Sequence, residues 1–320
     1  MVIRKGMVIN MEILRGIDFE IKNSAVSLGK FDGIHLGHRL LLNEVLRHKE
    51  LIPSVFTFDI SNSVSPGREQ IAQGRFIYSE NEKQTVLKSL GIKRAVIFPF
   101  NNETKSMEPE DFIEKILVER MDARFICVGM DFRFGKDRRG TAGMLKAFSS
   151  RFGYETKVFN KLSSEDGIIS STLIRKKIED GDIKRVNELL GRTYFIEGTV
   201  VHGNALGRKL DMPTANIFPW EGKVLLPSGV YATTLVLGDR RLPAITNIGR
   251  KPTVGSDRTV VETCILGFKE DIYGCDIIVE FHEFLRPEKK FPDIGQLKTQ
   301  MERDKKHAAE VLKGYTFQNR

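Results

Sequence analysis

The stretch that decides the fold is residues 27–38, which read SLGKFDGIHLGH. The apolar run that ends before Gly29 predicts a buried strand, and Gly29 and Gly33 predict the turn that follows it. Apolar residues at helical spacing come next. We therefore expect His35 and His38 at or near the N-terminus of a helix that follows a strand.

A helix N-terminus with two histidines suits a polyphosphate. Its unpaired backbone N–H groups and the positive end of the helix dipole attract anions. The imidazoles of His35 and His38 can donate hydrogen bonds to phosphate oxygens whose charge grows in a transition state. The alternative is an ordinary strand-to-helix turn with two surface histidines, but the combined pattern favours the phosphate site.

Composition places the chain among globular proteins. Its 320 residues suffice for two domains, and 41% of them are hydrophobic and 29% charged. We expect neither a membrane-spanning segment nor a signal peptide. The cysteines Cys127, Cys264 and Cys275 form no CxxC motif, which predicts a cytoplasmic protein without a disulfide framework. Met1, Met7 and Met11 are each possible start sites.

The charge balance is basic. There are 50 Lys and Arg residues against 42 Asp and Glu residues, a net charge of +8. The basic residues are dispersed, and their densest cluster, residues 133–139, is interleaved with glycine as in a nucleotide-binding loop. Nucleic-acid binding is therefore not expected. The sequence does not indicate an oligomeric state.

The first half alternates short apolar strands with amphipathic helices. Predicted strands cover 24–29, 53–58, 94–98, 124–129 and 154–159, and predicted helices cover 36–48, 79–90, 108–120 and 141–151. This alternation predicts a Rossmann-like α/β domain, with a parallel sheet covered by helices on both faces. Ligands of such sheets bind at the carboxyl ends of the strands, where the histidine turn is expected.

The pattern changes near residue 190. Predicted strands cover 193–201, 229–237, 242–248, 259–266 and 275–284, and helical spacing returns only after Ile294. These features predict a small antiparallel β-barrel or sandwich with one C-terminal helix. We place the domain boundary between residues 186 and 187, giving domains 1–186 and 187–320.

Two further segments of the first half can complete a nucleotide site. In residues 128–135 a strand enters a Gly/Arg loop, so Asp131 and Arg133 are expected to face the same crevice. Residues 169–175 open a helix whose hydroxyl groups can cap it or bind phosphate, and Arg175 can reach an anion. The hydroxyl residues are Ser170, Ser171 and Thr172.

These three segments, in this order, resemble the nucleotidylyltransferase module of the bacterial bifunctional riboflavin kinase/FMN adenylyltransferases (FAD synthetases). The resemblance implies that the first half binds ATP and FMN. Beside His35 and His38, the implied nucleotide- and phosphate-binding residues are Gly29, Phe31, Asp32, Gly33, Gly37, Asp131, Arg133, Ser170, Ser171, Thr172 and Arg175.

The second half resembles the riboflavin kinase of the same family. Residues 203–216 match a signature that ends in Pro-Thr-Ala-Asn, and its Gly203, Gly207 and Arg208 can fold over phosphates. The Thr214 hydroxyl and the Asn216 carbonyl are hard oxygen ligands suited to Mg²⁺. In isolation, the Pro-Thr-Ala-Asn motif slightly favours an ordinary loop with a Pro-Thr turn into a strand.

Glu262 lies in an apolar strand pattern, where a glutamate usually faces solvent. By resemblance it aligns with the catalytic carboxylate of the kinase, which implies that it is the general base for the ribityl 5′-hydroxyl. Residues 247–253 and 284–288 also match the family, so the resemblance extends over residues 11–312.

The resemblance implies FAD biosynthesis with riboflavin, FMN and ATP as small-molecule substrates and Mg²⁺ as cofactor. The chain departs from the family pattern after Phe58, where Asp59-Ile60-Ser61 replaces Glu-Pro-His, and at Asp211-Met212, Cys264 and Gly267. These departures leave three alternatives open. They are a paralogue with one of the two activities, a flavin-binding regulatory protein, and a nucleotidylyltransferase with another acceptor.

Overall fold

The computed structural model describes residues 10–59, 76–202, 214–253 and 256–315. The chain divides into two compact units, Met1–Ser171 and Thr172–Arg320. The domain boundary between residues 186 and 187 stays a prediction from the sequence.

The first unit alternates strands and helices. Its strands are β1 (Glu12–Arg15), β2 (Ser24–Leu28), β3 (Ile52–Asp59), β4 (Arg94–Pro99), β5 (Ala123–Gly129), β6 (Arg133–Phe134), β7 (Gly140–Thr141), β8 (Glu155–Phe159), β9 (Ser163–Ser164) and β10 (Gly167–Ile168). Its helices are α1 (Leu36–Val45), α2 (Glu80–Leu90), α3 (Asn102–Lys105), α4 (Pro109–Asp111, continued in π geometry over Phe112–Arg120) and α5 (Ala142–Phe152). Helix α6 (Ser171–Glu179) begins at the division between the units.

Local signals account for these helix ends. Ser79 and Glu82 form a capping box at the start of α2, and Gly91 ends that helix in the left-handed conformation. Helix α1 has His35 as its N-cap. The histidines are therefore found at the helix N-terminus where the sequence predicts them.

The main sheet has six parallel strands in the order β1-β4-β3-β2-β5-β8. The chain leaves β2 on one side towards β3 and β4, and then crosses over to β5 on the other side. This reversal between β2 and β5 is a switch point, where ligands of open α/β sheets bind beyond the carboxyl ends of the strands.

Helices cover both faces of this sheet. On one face Ala25, Phe125 and Cys127 pack against Leu41 and Val45 of α1. On the other face a larger core joins alternate residues of β2, β3, β4 and β5 to α5 and to the π-helical segment after α4. All five residues of β2 are buried for this reason. The prediction of a parallel α/β domain is confirmed.

The second unit is mostly antiparallel. Its elements are α7 (Ile183–Leu190), β11 (Tyr194–Thr199), β12 (Thr214–Ile217), β13 (Gly229–Leu237), β14 (Arg240–Thr253), β15 (Ser256–Ile265), β16 (Asp276–Arg286) and α8 (Ile294–Leu312). Its sheet has the strand order β11-β16-β13-β14-β15-β12. A single antiparallel bridge between Val201 and Asn216 joins its two ends, so the sheet curls round as a barrel.

Helix α8 packs on the outside of this curled sheet. Ala308 and Leu312 form a small core with Ala232, Ile245 and Cys264, which belong to three adjacent strands. The antiparallel barrel with a C-terminal helix is confirmed. Strand β12 was not among the predicted strands, because it has only four residues and follows Pro213 and a polar stretch of sequence.

Candidate functional site

The two histidines of the first unit are held together at the start of α1. His35 is buried, and its Nδ1 accepts a hydrogen bond from the backbone N–H of His38 at 3.4 Å. The two rings stack, with centroids 3.8 Å apart. Since Nδ1 accepts, the proton of a neutral His35 ring lies on Nε2, which makes that atom a hydrogen-bond donor.

Glycine is needed beside these rings. A Cβ atom on Gly37 would lie 3.1 Å from Nδ1 of His35, and one on Gly29 would lie 3.2 Å from the ring of Phe31. The Phe31 ring in turn lies 5.2 Å from that of His38. The glycines of the motif therefore make room for the aromatic and imidazole rings.

Asp32 ties the histidine loop to two other segments. Its Oδ1 accepts a hydrogen bond from the backbone N–H of Ile77 at 2.9 Å, and its carbonyl accepts one from Ser171 Oγ at 2.8 Å. Asp32 is buried. Its carboxylate therefore supports the loop from within, and Ser171 brings the start of α6 to the same loop.

Thr172 and Arg175 follow Ser171 on α6. The Arg175 guanidinium donates to Thr172 Oγ1 at 3.2 Å. This contact holds a cation beside a hydroxyl group at the helix N-terminus, the combination expected for an anion site.

Asp131 and Arg133 follow β5, across the switch point from the histidines. Asp131 pairs with Lys161 at 2.9 Å, and this partner lowers the pKa of the exposed carboxyl. The Arg133 guanidinium donates to the carbonyl of Phe132 at 2.9 Å, within its own loop. The expectation that Asp131 and Arg133 take part in nucleotide binding stays a prediction.

In the second unit, three polar residues lie side by side across the sheet. Asn216 of β12 is paired with Glu262 of β15, and Glu262 is paired with Asn247 of β14. Residues directly opposite each other in adjacent strands project from the same face. The carboxylate of Glu262 is thus flanked on both sides by amide side chains.

This row lies on the face of the sheet that α8 covers. Cys264 and Ile245 pack against α8, and each is two residues from a member of the row, Glu262 or Asn247. Since side chains two apart on a strand share a face, the row and the helix are on one side of the sheet. A ligand that reaches Glu262 from this face therefore binds on the same side of the sheet as α8.

Asn216 carries a buried oxygen suited to a cation. The residue is 4% exposed, and its Nδ2 donates to the Thr214 carbonyl at 3.2 Å. Its Oδ1 is buried without a hydrogen-bond partner among the described residues. A buried carbonyl oxygen left in this state fits a hard cation such as Mg²⁺.

The metal chemistry would rest on few protein ligands. Within the described parts of the chain, no group of three or more His, Cys, Asp and Glu side chains could hold a metal. A cation at Thr214 and Asn216 would take its remaining ligands from phosphates and water, as Mg²⁺ commonly does.

A cavity of about 590 Å³ opens next to Thr214. Its other lining residues are Val200, Ala215, Ile265, Phe268, Lys269, Glu270, Asp271, Ile272 and Tyr273. The ring of Tyr273 stacks on that of His202 at 3.8 Å. The cavity combines apolar walls and charged groups beside a candidate metal ligand, as small-molecule sites commonly do.

A second carboxylate approaches the polar row from the end of β16. Asn247 Nδ2 donates to Oε1 of Glu288 at 3.1 Å. Just before Glu288, Arg286 makes several hydrogen bonds of 2.7–3.0 Å to the buried Asp304 of α8. These contacts fix the segment that carries Glu288 against the helix.

Several predicted residues lie outside the described residues. Gly203, Gly207 and Arg208 are among them, and so are the departures from the family pattern at residues 60–61 and 211–212. The sequence analysis gave no site role to Lys83, to the cavity segment 268–273 or to Glu288, although Glu288 lies in the family-matching segment 284–288. For the cavity segment the charged run Lys269-Glu270-Asp271 after a strand was the available signal, while Lys83 looks like any helix-surface lysine.

Two family models match the chain, one for each unit. The FAD synthetase model matches residues 18–173, and the riboflavin kinase model matches residues 190–312. In the described residues, no helix is both long and apolar enough to cross a membrane.

Curated relatives match over nearly the whole chain. A Haemophilus influenzae protein is 32% identical, with 92% of this chain and 97% of the relative covered. A Bacillus subtilis protein is also 32% identical, and the match covers 90% of this chain and 92% of the relative. An Escherichia coli protein is 32% identical, and the match covers 94% of this chain and 98% of the relative. All three are named bifunctional riboflavin kinase/FMN adenylyltransferase.

A solved structure has the same fold over the same length. It is a Streptococcus pneumoniae protein described as a macrolide-efflux protein, with a TM-score of 0.80 and 29% identity. The match covers 93% of this chain and 98% of that one.

Proposed function

The chain belongs to the family of bifunctional riboflavin kinase/FMN adenylyltransferases, and from this premise we propose that it makes FAD from riboflavin in two steps. The second unit phosphorylates riboflavin to FMN, and the first unit adenylylates FMN. The observation that carries the proposal is that one chain has both a stacked histidine pair at a sheet switch point and the Asn216–Glu262 pair.

In the kinase step Glu262 acts as general base. It takes the proton of the ribityl 5′-hydroxyl while that oxygen forms a bond to the γ-phosphorus of ATP, and the bond to the β-phosphate oxygen breaks to release ADP. The neighbouring amides of Asn216 and Asn247 support this role, because they place polar groups beside the carboxylate without neutralising it. The place of the row beside α8 is consistent with a flavin held between the sheet and the helix.

Thr214 and Asn216 are the residues that would hold Mg²⁺. The buried Oδ1 of Asn216 supports this assignment. When bound, Mg²⁺ supplies charge neutralisation for the phosphates of ATP. The cavity beside Thr214 is the place we assign to the nucleotide of this step.

In the adenylylation step, the FMN phosphate forms a bond to the α-phosphorus of ATP and pyrophosphate leaves. The attacking phosphate is already ionised, so the step needs no general base. Positioning and charge stabilisation then dominate. We assign these roles to His35, His38 and the N-terminal turn of α6, with Ser170, Ser171, Thr172 and Arg175 on the triphosphate.

We also assign Asp131 and Arg133 to the nucleotide site of the first unit. Asp131 and Arg133 lie beyond the strand next to the histidines, at the carboxyl edge of the sheet where both substrates must meet. A cytoplasmic location and the lack of a nucleic-acid partner stay predictions from the composition.

The direct test is to incubate the purified chain with riboflavin, ATP and Mg²⁺ and to separate the flavins. We expect FMN first and then FAD. If neither forms, the proposal is wrong, and tight flavin binding without turnover would favour the regulatory protein. If only FMN forms, the chain is a paralogue with kinase activity only. If FAD forms only when FMN is supplied, the chain is a paralogue with adenylyltransferase activity only.

Two variants test the separate units. His38→Ala should abolish FAD formation and spare FMN formation, whereas Glu262→Ala should do the reverse. The matched controls are His307→Ala and Glu310→Ala, at two exposed residues of the second unit. Loss of both activities from either His38→Ala or Glu262→Ala would contradict the assignment to separate units. Turnover of another phosphate ester in place of FMN would indicate a different acceptor.

A further inference from the structure

The loop between β2 and α1 has a backbone that its own sequence does not favour. Phe31, Gly33 and Ile34 have positive φ angles of 50°, 78° and 43°. Residues other than glycine rarely adopt this region, and a β-branched residue such as isoleucine is an outlier there. Contacts from outside the loop must therefore hold the shape that presents His35 and His38.

Two backbone carbonyls of the loop accept hydrogen bonds from other elements. The Lys30 carbonyl accepts from Thr57 Oγ1 of β3 at 3.3 Å and from Lys83 Nζ of α2 at 3.1 Å. The Asp32 carbonyl accepts from Ser171 Oγ. Of these three donors only Lys83 carries a formal charge, and charge-assisted hydrogen bonds are the stronger kind.

Lys83 lies among carboxylates. Burial lowers its pKa, while the charges of Asp32, Glu80 and Asp59 act in the opposite direction. Arg15 also belongs to this cluster, where it pairs with Glu80 and interacts with Asp59. The cluster lies at the carboxyl ends of β1 and β3, on the edge of the sheet where an anionic nucleotide must bind.

We infer that Lys83 is a positioning residue for adenylylation: it holds the Lys30 carbonyl, offsets the charge of Asp32 and Asp59, and thereby fixes the loop that carries both histidines. The inference rests on the function proposed for the first unit. Without the ammonium group the loop loses an anchor, and Asp32 and Asp59 lose the positive charge of Lys83, although Arg15 still interacts with Asp59. Both ATP binding and the transfer step should then suffer.

The test compares Lys83→Met, Lys83→Arg and the control Lys88→Met in the full chain. Lys88 is an exposed lysine near the end of the same helix. For Lys83→Met we expect kcat/KM for ATP in FAD formation to fall about 100-fold, as for a misplaced catalytic group. Riboflavin phosphorylation, measured in the same preparation, should be unchanged. Lys83→Arg should restore most of the loss, and Lys88→Met should match the wild type.

The pH profile separates a charge effect from simple packing. As pH rises, the wild type should lose FAD formation when the Lys83 ammonium deprotonates, and the arginine variant should keep it. The other charged groups of the cluster are Asp32, Asp59, Glu80 and Arg15. Equal alkaline profiles in the wild type and Lys83→Arg would overturn the charge role.

Amide hydrogen exchange of residues 29–38 gives a readout that does not require turnover. We expect faster exchange in Lys83→Met than in the wild type and Lys88→Met. If the wild type makes no FAD, the proposed function fails, whereas the exchange result still decides whether Lys83 holds the loop. The inference would be overturned if residues 29–38 of Lys83→Met exchanged at the wild-type rate. It would also be overturned if Lys83→Met and Lys83→Arg lost FAD formation and riboflavin phosphorylation to the same extent.

Discussion

Asn216 lies directly opposite Glu262 in the antiparallel pair formed by β12 and β15. Glu262 is also opposite Asn247 of β14, so the carboxylate lies between two amides. The buried Oδ1 of Asn216 has no hydrogen-bond partner among the described residues. The Oδ1 of Asn216 is therefore left available for the cation that we propose at this site.

Replacing Asn216 with leucine tests that proposal. Asn216→Leu keeps the approximate volume but removes the oxygen, so riboflavin phosphorylation should fall about 100-fold or more, as when one stabilising group is removed. The Mg²⁺ concentration needed for half-maximal rate should rise. FAD formation from supplied FMN, in the same protein, is the internal control. An unchanged Mg²⁺ requirement would contradict the assignment of Asn216 as a ligand.

The histidine loop should be sensitive to a single methyl group at Gly33. Gly33 has a φ of 78°, and a Cβ there would lie 2.7 Å from Cδ1 of Ile77. Gly33→Ala therefore adds a steric clash to the backbone strain of about 1 kcal/mol expected for alanine at positive φ. We expect a lower free energy of unfolding and slower FAD formation, measured by denaturant titration and by flavin separation.

Gly153 offers a matched control for the backbone term. Its φ is 72°, and a Cβ there would meet nothing within 4 Å. Gly153→Ala should cost about 1 kcal/mol of unfolding free energy and leave FAD formation unchanged. Equal effects of the two substitutions on FAD formation would show that crowding against Ile77 is not important.

The ion pair between Arg286 and Asp304 should contribute strongly to the second unit. Asp304 is 5% exposed and takes three hydrogen bonds from the guanidinium. Arg286→Met would leave that carboxylate buried and unpaired, which typically costs about 3–5 kcal/mol. We expect a matching fall in the free energy of unfolding, and a fall in riboflavin phosphorylation because the segment leading to Glu288 is released.

A double variant tests this explanation. Arg286→Met with Asp304→Leu removes both charges, so its cost should be well below the sum of the single costs. The exposed pair Arg258–Glu221, 3.4 Å apart, is a surface comparison whose loss should cost less than about 1 kcal/mol. Additive costs at Arg286 and Asp304 would indicate that the two side chains act independently.

His282 should make the second unit sensitive to mild acid. Burial, with a smaller contribution from Arg241, lowers the pKa of His282 from 6.5 to about 4, and its Nε2 lies 2.8 Å from Thr234 Oγ1. The unfolded chain therefore binds a proton at a higher pH than the folded chain does. The stabilisation is present above pH 6.5 and is lost as pH falls towards 4.

The pKa shift of His282 corresponds to a loss of about 3 kcal/mol of unfolding free energy as pH falls through this range. His282→Gln should remove that part of the pH dependence of the unfolding free energy. His307→Gln, at an exposed histidine of α8, should leave the pH dependence unchanged. If both variants titrate like the wild type, the buried histidine is not the cause.

Local signals explain what could be predicted. The strand before Gly29, the helix after His35 and the change of pattern near residue 190 all depend on neighbouring residues, and the structure confirms each of them. Strand β12 was not predicted because four residues are too few to show a strand pattern. The contacts of Lys83 and Glu288 could not be predicted because they are made to residues distant in the chain.

By itself, the sequence determined the parallel and antiparallel halves, the position of the histidines at a helix start, and the family. Those features follow from hydrophobic period, turn residues and short motifs, which are local. Only the tertiary structure decided that the switch point lies between β2 and β5, that Glu262 is flanked by Asn216 and Asn247, and that Lys83 reaches the Lys30 carbonyl. Strand order and register are set by long-range packing, and no local pattern encodes which distant side chains they bring together.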